Sequence, residues 1–370
     1  MAETHFLYAP SSVSPPGETL SEMLEERGLT QTELARRMSR PVNAINEIVL
    51  GAKEITQDTA IELERVLGVP AHFWLARESR YREHLARERD ASKTLSRMGW
   101  LESLPLKALQ DSGHLPAGRL TSGFKAALME PALRFFGVAS PEGWEQQYSR
   151  VQAAFRRANP DKQTDNAAIT AWLRLGELAA EKRQALPYNE ATLLMLLPQL
   201  RNLSTCNAAT IGQQLPLLCA QAGVVLVFVP PMPGTHVSGV ARWLGDRPLV
   251  QLSLLGKFND IFWFSFFHEI AHILKHPKRA VFLDDASAGH AAQSKEEREA
   301  DQFAADTLMN TNQRQTLATL PLTFPAIKAF AKSIAIHPGI VVGSLQHDGL
   351  LAYGHPLCAL RERYDIKKTS

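Results

Sequence analysis

The chain has 370 residues and a formal net charge of +2, with 45% hydrophobic and 21% charged residues. These proportions exclude a disordered or membrane-embedded polypeptide, and so small a net charge does not announce nucleic-acid binding, which must be argued from a local element. The length accommodates two or three domains, each with its own core.

In chain order, residues 1–16 contain SSVSPP and little periodicity, and 1–15 are expected to be a flexible arm. No apolar core follows the N terminus and no apolar run reaches about 18 residues, so neither a signal peptide nor a membrane span is expected. Cys206, Cys219 and Cys358 lack C-x-x-C spacing, which fits a reducing, cytoplasmic compartment.

From Pro16 to Trp74 the pattern reads as five short helices. Leu20, Met23 and Leu24 line the first, and Gly28 ends it. Thr30 and Glu33 have the spacing of a capping box that opens a second helix through Met38, with Leu34 and Ala35 facing inward. A third helix, from about Pro41 to Val49, sets Val42, Ile45 and Ile48 on one apolar side. Thr56 caps a fourth, with Ile61, Leu63, Val66 and Leu67 available to the core and Gly68 as its stop. Helices two and three have the proportions of a helix-turn-helix, in which the start of the second member enters the major groove. Arg40, Val42, Asn43 and Asn46 are then the groove-facing candidates, and Arg36, Arg37 and Lys53 the phosphate contacts.

The segments GETLSEMLEERGLTQTELARRMSRPVNAINEI and KEITQDTAIELERVLGVPAHFWL resemble the helix-turn-helix antidote proteins of the HigA type, within the Xre repressor class, over residues 16 to about 82. The resemblance implies operator DNA as a partner and a homodimer formed through this domain. Ser39 departs from the pattern at a turn where glycine is common; positive φ there would cost serine about 1 kcal/mol.

Residues 77–97 read as a solvated connecting helix, closing a first domain at 16–95. Residues 96–189 are helical in pattern, broken by SPE and NPDKQTD, and form a connecting or sensor region. Trp172 and Arg174 are assigned there to packing and surface. The last domain, 190–370, follows the breaker LPYN with further helix and then three strand signals, GVVLVFVP, VSGVARWL and PLVQLSL, expected to make a small antiparallel sheet.

The run Ile261 to Leu274 is apolar apart from a few polar groups, chiefly the H-E-x-x-H of His268, Glu269 and His272. On a helix the two histidines stand roughly 40° apart on one face and can share one metal ion. Glu269, beside the first, has the position of a general base toward zinc-activated water. A second helix, Lys295 to Met309, carries Glu297 and Asp301 as an E-x-x-x-D pair, with Glu297 as third ligand and Asp301 bonded to the free nitrogen of a ligand histidine; Glu296 and Glu299 compete for the ligand role. His276 precedes Pro277 and reads as an end-of-helix residue.

HEIAH at 268–272 and EREADQFAADTLM at 297–309, with SGVARWL and LVQLSL, resemble the ImmA/IrrE family of metallopeptidases over roughly residues 190–350. The resemblance implies a zincin-like core with zinc on His268, His272 and Glu297 and with Glu269 as catalytic base, in the manner of a gluzincin. It also implies a protein substrate such as a transcriptional repressor. Asn310 stands where a proline is frequent. The expected fold class is therefore α+β, mostly helical: a five-helix helix-turn-helix domain, a helical middle region, and a C-terminal domain with a small sheet and the H-E-x-x-H helix.

Two readings follow. The first is a DNA-binding regulator fused to a zinc endopeptidase that acts on a repressor or toxin-antitoxin partner. The second is a HigA-like antitoxin or repressor whose metal domain senses or docks without proteolysis. An oxyanion stabiliser is expected from His337, His347, Tyr353 or His355, with nothing in the sequence to choose among them.

Overall fold

The computed structural model describes residues 13–158, 166–235, 237–253, 258–278, 282–285 and 294–364. Most of the arm expected at 1–15, and the breaker NPDKQTD, lie outside them. The chain divides into two compact units, Met1–Met98 and Gly99–Ser370. Among the described residues no single helix is long and apolar enough to cross a membrane.

The first unit is helical: α1 (Pro16–Glu26), α2 (Gln31–Arg37), α3 (Val42–Val49), α4 (Gln57–Leu67) and α5 (Ala71–Ser96). Leu20, Leu24, Leu34, Ile45, Ile48, Leu63, Leu67 and Trp74 form one buried cluster. Burying side chains of this size stabilises by about 1.5–3 kcal/mol each before chain entropy is counted. Val42 and Ile61, expected in this core, are each 41% exposed, because the short helices turn only a narrow stripe inward. Gly17 lets α1 close on α3: a Cβ there would stand 2.2 Å from the carbonyl oxygen of Val49. The Thr30 hydroxyl accepts from the Glu33 amide at 3.1 Å. The capping box is only half made, since the Glu33 carboxylate accepts from Arg36 and Arg37 instead. Ser39 adopts φ 53°, the left-handed geometry that disfavours serine.

α5 corrects the expectation of a short fifth helix followed by a separate connecting one. No breaker stands between Ala71 and Ser96, and Glu, Arg, Ala and Leu all propagate helix well, so one helix of 26 residues results. Its first turns bury Trp74, while residues 86–93 are exposed and Glu83 pairs with Arg87 at 2.7 Å.

The second unit opens with short helices, α6 (Met98–Ser103), α7 (Leu106–Asp111), α8 (Ser122–Ala127) and α9 (Met129–Phe136), then α10 (Pro141–Ala158), α11 (Asn166–Glu181), α12 (Glu190–Asn202) and α13 (Ala208–Gln221). Strands β1 (Val225–Phe228), β2 (Val237–Leu244) and β3 (Arg247–Leu252) follow, then α14 (Asn259–Lys275), β4 (Phe282–Asp285), α15 (Lys295–Leu308), α16 (Thr311–Ala318), α17 (Phe324–Ser333) and α18 (Pro338–His347).

The sheet has four strands in the order β1-β3-β2-β4, with β1 parallel to β3 and the other pairs antiparallel. Three antiparallel strands were expected. The parallel pair arises because the β2–β3 hairpin, turned at Gly245 with φ 63°, inserts β3 between β1 and β2. Helices cover both faces, which is why the strands read as nearly continuous apolar runs. On one face Leu226, Ala241, Val250 and Leu252 pack with Phe262, Phe266 and Phe267 of α14. On the other, alternate residues meet α11, inside the segment read as connecting: Arg242 donates to Leu173 O at 2.5 Å and Gln251 to Trp172 O at 2.7 Å. Gly176 permits that approach, since a Cβ there would stand 1.8 Å from Gln251 Oε1.

The far end of α14 is clamped by the C-terminal residues. Arg361 pairs with Asp260 at 2.9 Å, and the fully buried Asn259 lies 2.6 Å from His337. Asn310 caps α16 in a complete capping box with Gln313, which explains an asparagine where a proline is frequent.

Candidate metal centre and recognition helix

The long apolar face of α14 is buried by Phe262, Trp263, Phe266, Phe267 and Ile270, and this fixes the rotation of the helix. His268 and His272, each 2% exposed, then face α15. α15 begins at Ser294, whose hydroxyl accepts from the Glu297 amide at 3.2 Å. The fully buried Ala300 and Ala304 on α15 leave room for close helix packing, and Arg201 of α12 ties down its last turn by donating to Leu308 O at 3.0 Å. Glu297 and Asp301, four residues apart, are thereby set opposite the histidines.

Three donor atoms converge. His268 Nε2 and His272 Nε2 are 2.9 Å apart, and the Glu297 carboxylate lies 3.1 Å from the first and 3.7 Å from the second. Tetrahedral ligands at 2.0–2.1 Å from a zinc ion are separated from one another by about 3.3 Å. The described group of His268, His272 and Glu297 could therefore hold a metal ion with little adjustment. Burial holds His272 down at about 4, so its imidazole is neutral. Burial alone would raise the Glu297 carboxyl, but the imidazoles of His268 and His272 beside it outweigh that and hold it at about 2. A neutral imidazole and an ionised carboxylate are the forms that bind a cation.

The neighbours of the ligand atoms complete the arrangement. His268 Nδ1 lies 2.9 Å from Asp301 Oδ1, so the carboxylate accepts its proton and leaves the Nε2 lone pair toward Glu297. Glu296 is half-buried and bonded near Ser294, and Glu299 approaches His276 at 3.5 Å; neither stands in the ligand position. Glu269 is fully buried and lies against β2. A Cβ on Gly239 would come within 2.6 Å of Glu269 Oε1, so the glycine makes the space that this carboxylate occupies.

Sequence reasoning missed two residues here. Gly239 gave no signal beyond a glycine within a strand pattern, which marks a close approach without naming its partner. His276 was placed at the helix end, and it is the C-cap residue, yet its Nδ1 also lies 2.9 Å from that of His272. The repeated four-residue spacing in HEIAHILKH was the available sign.

Three of the four oxyanion candidates have local partners, and the fourth is exposed. His337 accepts from the Gly339 amide at 3.0 Å and contacts Asn259, nine residues before His268 and so roughly 13 Å along the helix. His355 accepts from the Leu357 amide at 3.2 Å, His347 pairs with Asp348 at 3.1 Å, and Tyr353 is 77% exposed.

In the first unit Val42, Asn43 and Asn46 are exposed on α3, as are Arg36 and Arg37 on α2 and Lys53 beyond α3. Arg40 is half-buried and bonded to Glu62 at 2.5 Å, so it is held in place against α4. The half-buried Glu33 carboxyl is held at about 2 by hydrogen bonds from Arg36 and then Arg37.

Residues 20–74 match the helix-turn-helix family profile, and residues 258–320 match that of the IrrE N-terminal-like domain, a peptidase family. Virulence-associated protein I of Dichelobacter nodosus is 40% identical over 67 residues, 18% of this chain; the match spans 62% of that relative's length. An addiction module antidote protein of the HigA family from Coxiella burnetii is 29% identical, over 23% of this chain and 92% of that one, with a TM-score of 0.21. Pseudomonas aeruginosa antitoxin HigA, solved with the higBA promoter, is 30% identical, over 22% of this chain and 90% of that one, with a TM-score of 0.22.

Proposed function

We propose that this chain, which carries an Xre-type helix-turn-helix domain at its N terminus and an IrrE/ImmA-like domain at its C terminus, is a DNA-binding regulator with a zinc-dependent endopeptidase activity directed at a repressor or toxin-antitoxin partner. The observation that carries the enzymatic part is the convergence of His268 Nε2, His272 Nε2 and a Glu297 oxygen within 2.9–3.7 Å. Two histidines and one carboxylate leave a fourth position for water, the pattern of catalytic zinc sites.

Zinc, when bound, supplies Lewis acidity that polarises the scissile carbonyl and lowers the pKa of the attacking water toward about 7. The protein supplies the rest. Asp301 fixes the tautomer of His268. Glu269 takes the proton from the attacking water and delivers it to the departing amine. Its burial between α14 and Gly239 holds it in one place, so little motion is needed between the two transfers.

The test is Glu269→Gln, which is isosteric and leaves the three donors untouched. Zinc content should stay at one per chain while peptide hydrolysis falls by about 10²–10⁴-fold. Unchanged proteolysis rejects the base.

The helix-turn-helix match supports operator binding by α3, with Val42, Asn43 and Asn46 in the groove, Arg36, Arg37 and Lys53 on phosphates, and Arg40 beside them in a conformation fixed by Glu62. A homodimer through this domain would present two such helices to a palindromic site. Gel shifts at moderate salt on the DNA upstream of its own gene test this part; binding with no sequence preference removes it.

A further inference from the structure

His272 and His276 face each other through Nδ1 atoms 2.9 Å apart, with His276 buried at 8% exposure. An imidazole that offers Nε2 to a cation carries its proton on Nδ1. The short contact is then satisfied one way only: His272 donates and His276 accepts. Acceptance by Nδ1 leaves the His276 proton on Nε2, which faces Glu299 Oε2 at 3.5 Å. His276 is outside the group of donors that lie within 4.8 Å of one another, its Nδ1 being against His272 and its Nε2 toward Glu299.

The backbone shows how the residue gets there. Pro277 steers its predecessor out of helical geometry, and His276 has φ −116° and ψ 157°. Its amide still donates to His272 O at 3.3 Å, so the chain leaves α14 at this residue with the ring against the final turn. The two histidines of the centre are thus served differently. His268 meets a carboxylate directly, through Asp301; His272 meets a second imidazole, which stands between it and Glu299.

We propose that His276 is a positioning residue: its Nδ1 lone pair holds His272 in the Nδ1–H tautomer and in the rotamer that aims Nε2 at Glu297. The inference rests on the metal-centre reading above. It is a claim about a lone pair, not about bulk, and that separates it from a packing role.

The experiment uses the full chain and three variants, His276→Asn, His276→Gln and His276→Leu. An asparagine places its carbonyl oxygen where Nδ1 stands, glutamine places it one bond farther out, and leucine fills space without an acceptor. Zinc affinity is read by competition with a chromophoric chelator, and the His272 tautomer by nitrogen-15 NMR of imidazole-labelled protein with and without zinc. His276→Asn should bind zinc about as tightly as the parent, while His276→Gln and His276→Leu should bind about 10–100-fold more weakly. The Nδ1–H tautomer of His272 should persist only in the parent and His276→Asn. Equal affinity in all four proteins, or His276→Asn as weak as His276→Leu, overturns the inference. A parent that binds no zinc defeats the metal-centre reading instead, and the tautomer then decides this one: an Nε2–H His272 in the metal-free parent overturns it.

Discussion

Charged groups are used in opposite ways in the two units. In the first, Arg36 and Arg37 reach a shared Glu33 at the surface, and Lys53 lies 3.9 Å from Glu47 with both side chains half-exposed. In the second, Arg242 is 6% exposed and bound to Glu177 at 2.7 Å, and His268, Glu269 and His272 are all buried. Exposed pairs contribute little to folding and remain available to an external polyanion. Buried polar groups are tolerated only where partners satisfy them, so the second unit has its chemistry fixed before any ligand arrives.

The comparison is broken most forcefully by Glu177→Ala, which takes the carboxylate from a buried guanidinium. The unfolding transition of the second unit should lose about 3–5 kcal/mol, and a loss under about 1 kcal/mol would mean that this charge is no more structural than a surface one. Next in size is Gly239→Val on β2. Its side chain would collide with Glu269, so about 1–3 kcal/mol of stability should go, together with most hydrolysis. Urea melts read the first and a peptide assay the second. Asp301→Ala should weaken zinc binding by about 10–100-fold in chelator competition, because no acceptor then fixes the His268 tautomer.

The smallest effects belong to the first unit. Ser39→Gly should raise its stability by about 1 kcal/mol in thermal melts, since φ 53° suits glycine. Arg36→Ala should change stability by less than about 0.5 kcal/mol yet flatten the salt dependence of DNA binding by about one unit of slope. A stability loss as large as that of Glu177→Ala would erase the contrast.

Acid sharpens the same contrast. His272 has its folded-state value depressed to about 4 from 6.5, so it binds fewer protons when folded than when unfolded. Its contribution to metal-free stability is present above 6.5 and is lost as pH falls toward 4. Melts of the metal-free chain should therefore show the second unit weakening across that window, before Glu297 begins to take up a proton near 2.

Much of this was readable from residue order. The caps at Thr30 and Thr56, the stops at Gly28 and Gly68, and the apolar stripe of α14 depend on contacts a few residues apart, and local chemistry set them. The four-residue spacing put His268 and His272 on one face for the same reason. Glu297 was favoured by its four-residue spacing to Asp301, but Glu296 and Glu299 stayed in competition, because three glutamates on one turn differ only in which way the packed helix is rotated. Nor was the extent of α5, where the absence of a breaker mattered more than the change from apolar to charged composition.

By itself, then, the sequence determined the elements, the turn strain at Ser39 and the kinds of side chain available for chemistry, since each follows from steric and hydrogen-bonding preferences within one or two turns. Only the tertiary structure decided which of them meet. The insertion of β3 beside β1, the approach of Gly239 to Glu269, the assignment of Asp301 to one histidine and His276 to the other, and the capture of Arg40 by Glu62 all join residues whose proximity depends on how separate elements pack. Packing is a cooperative property of whole faces, and no short window of residues contains it.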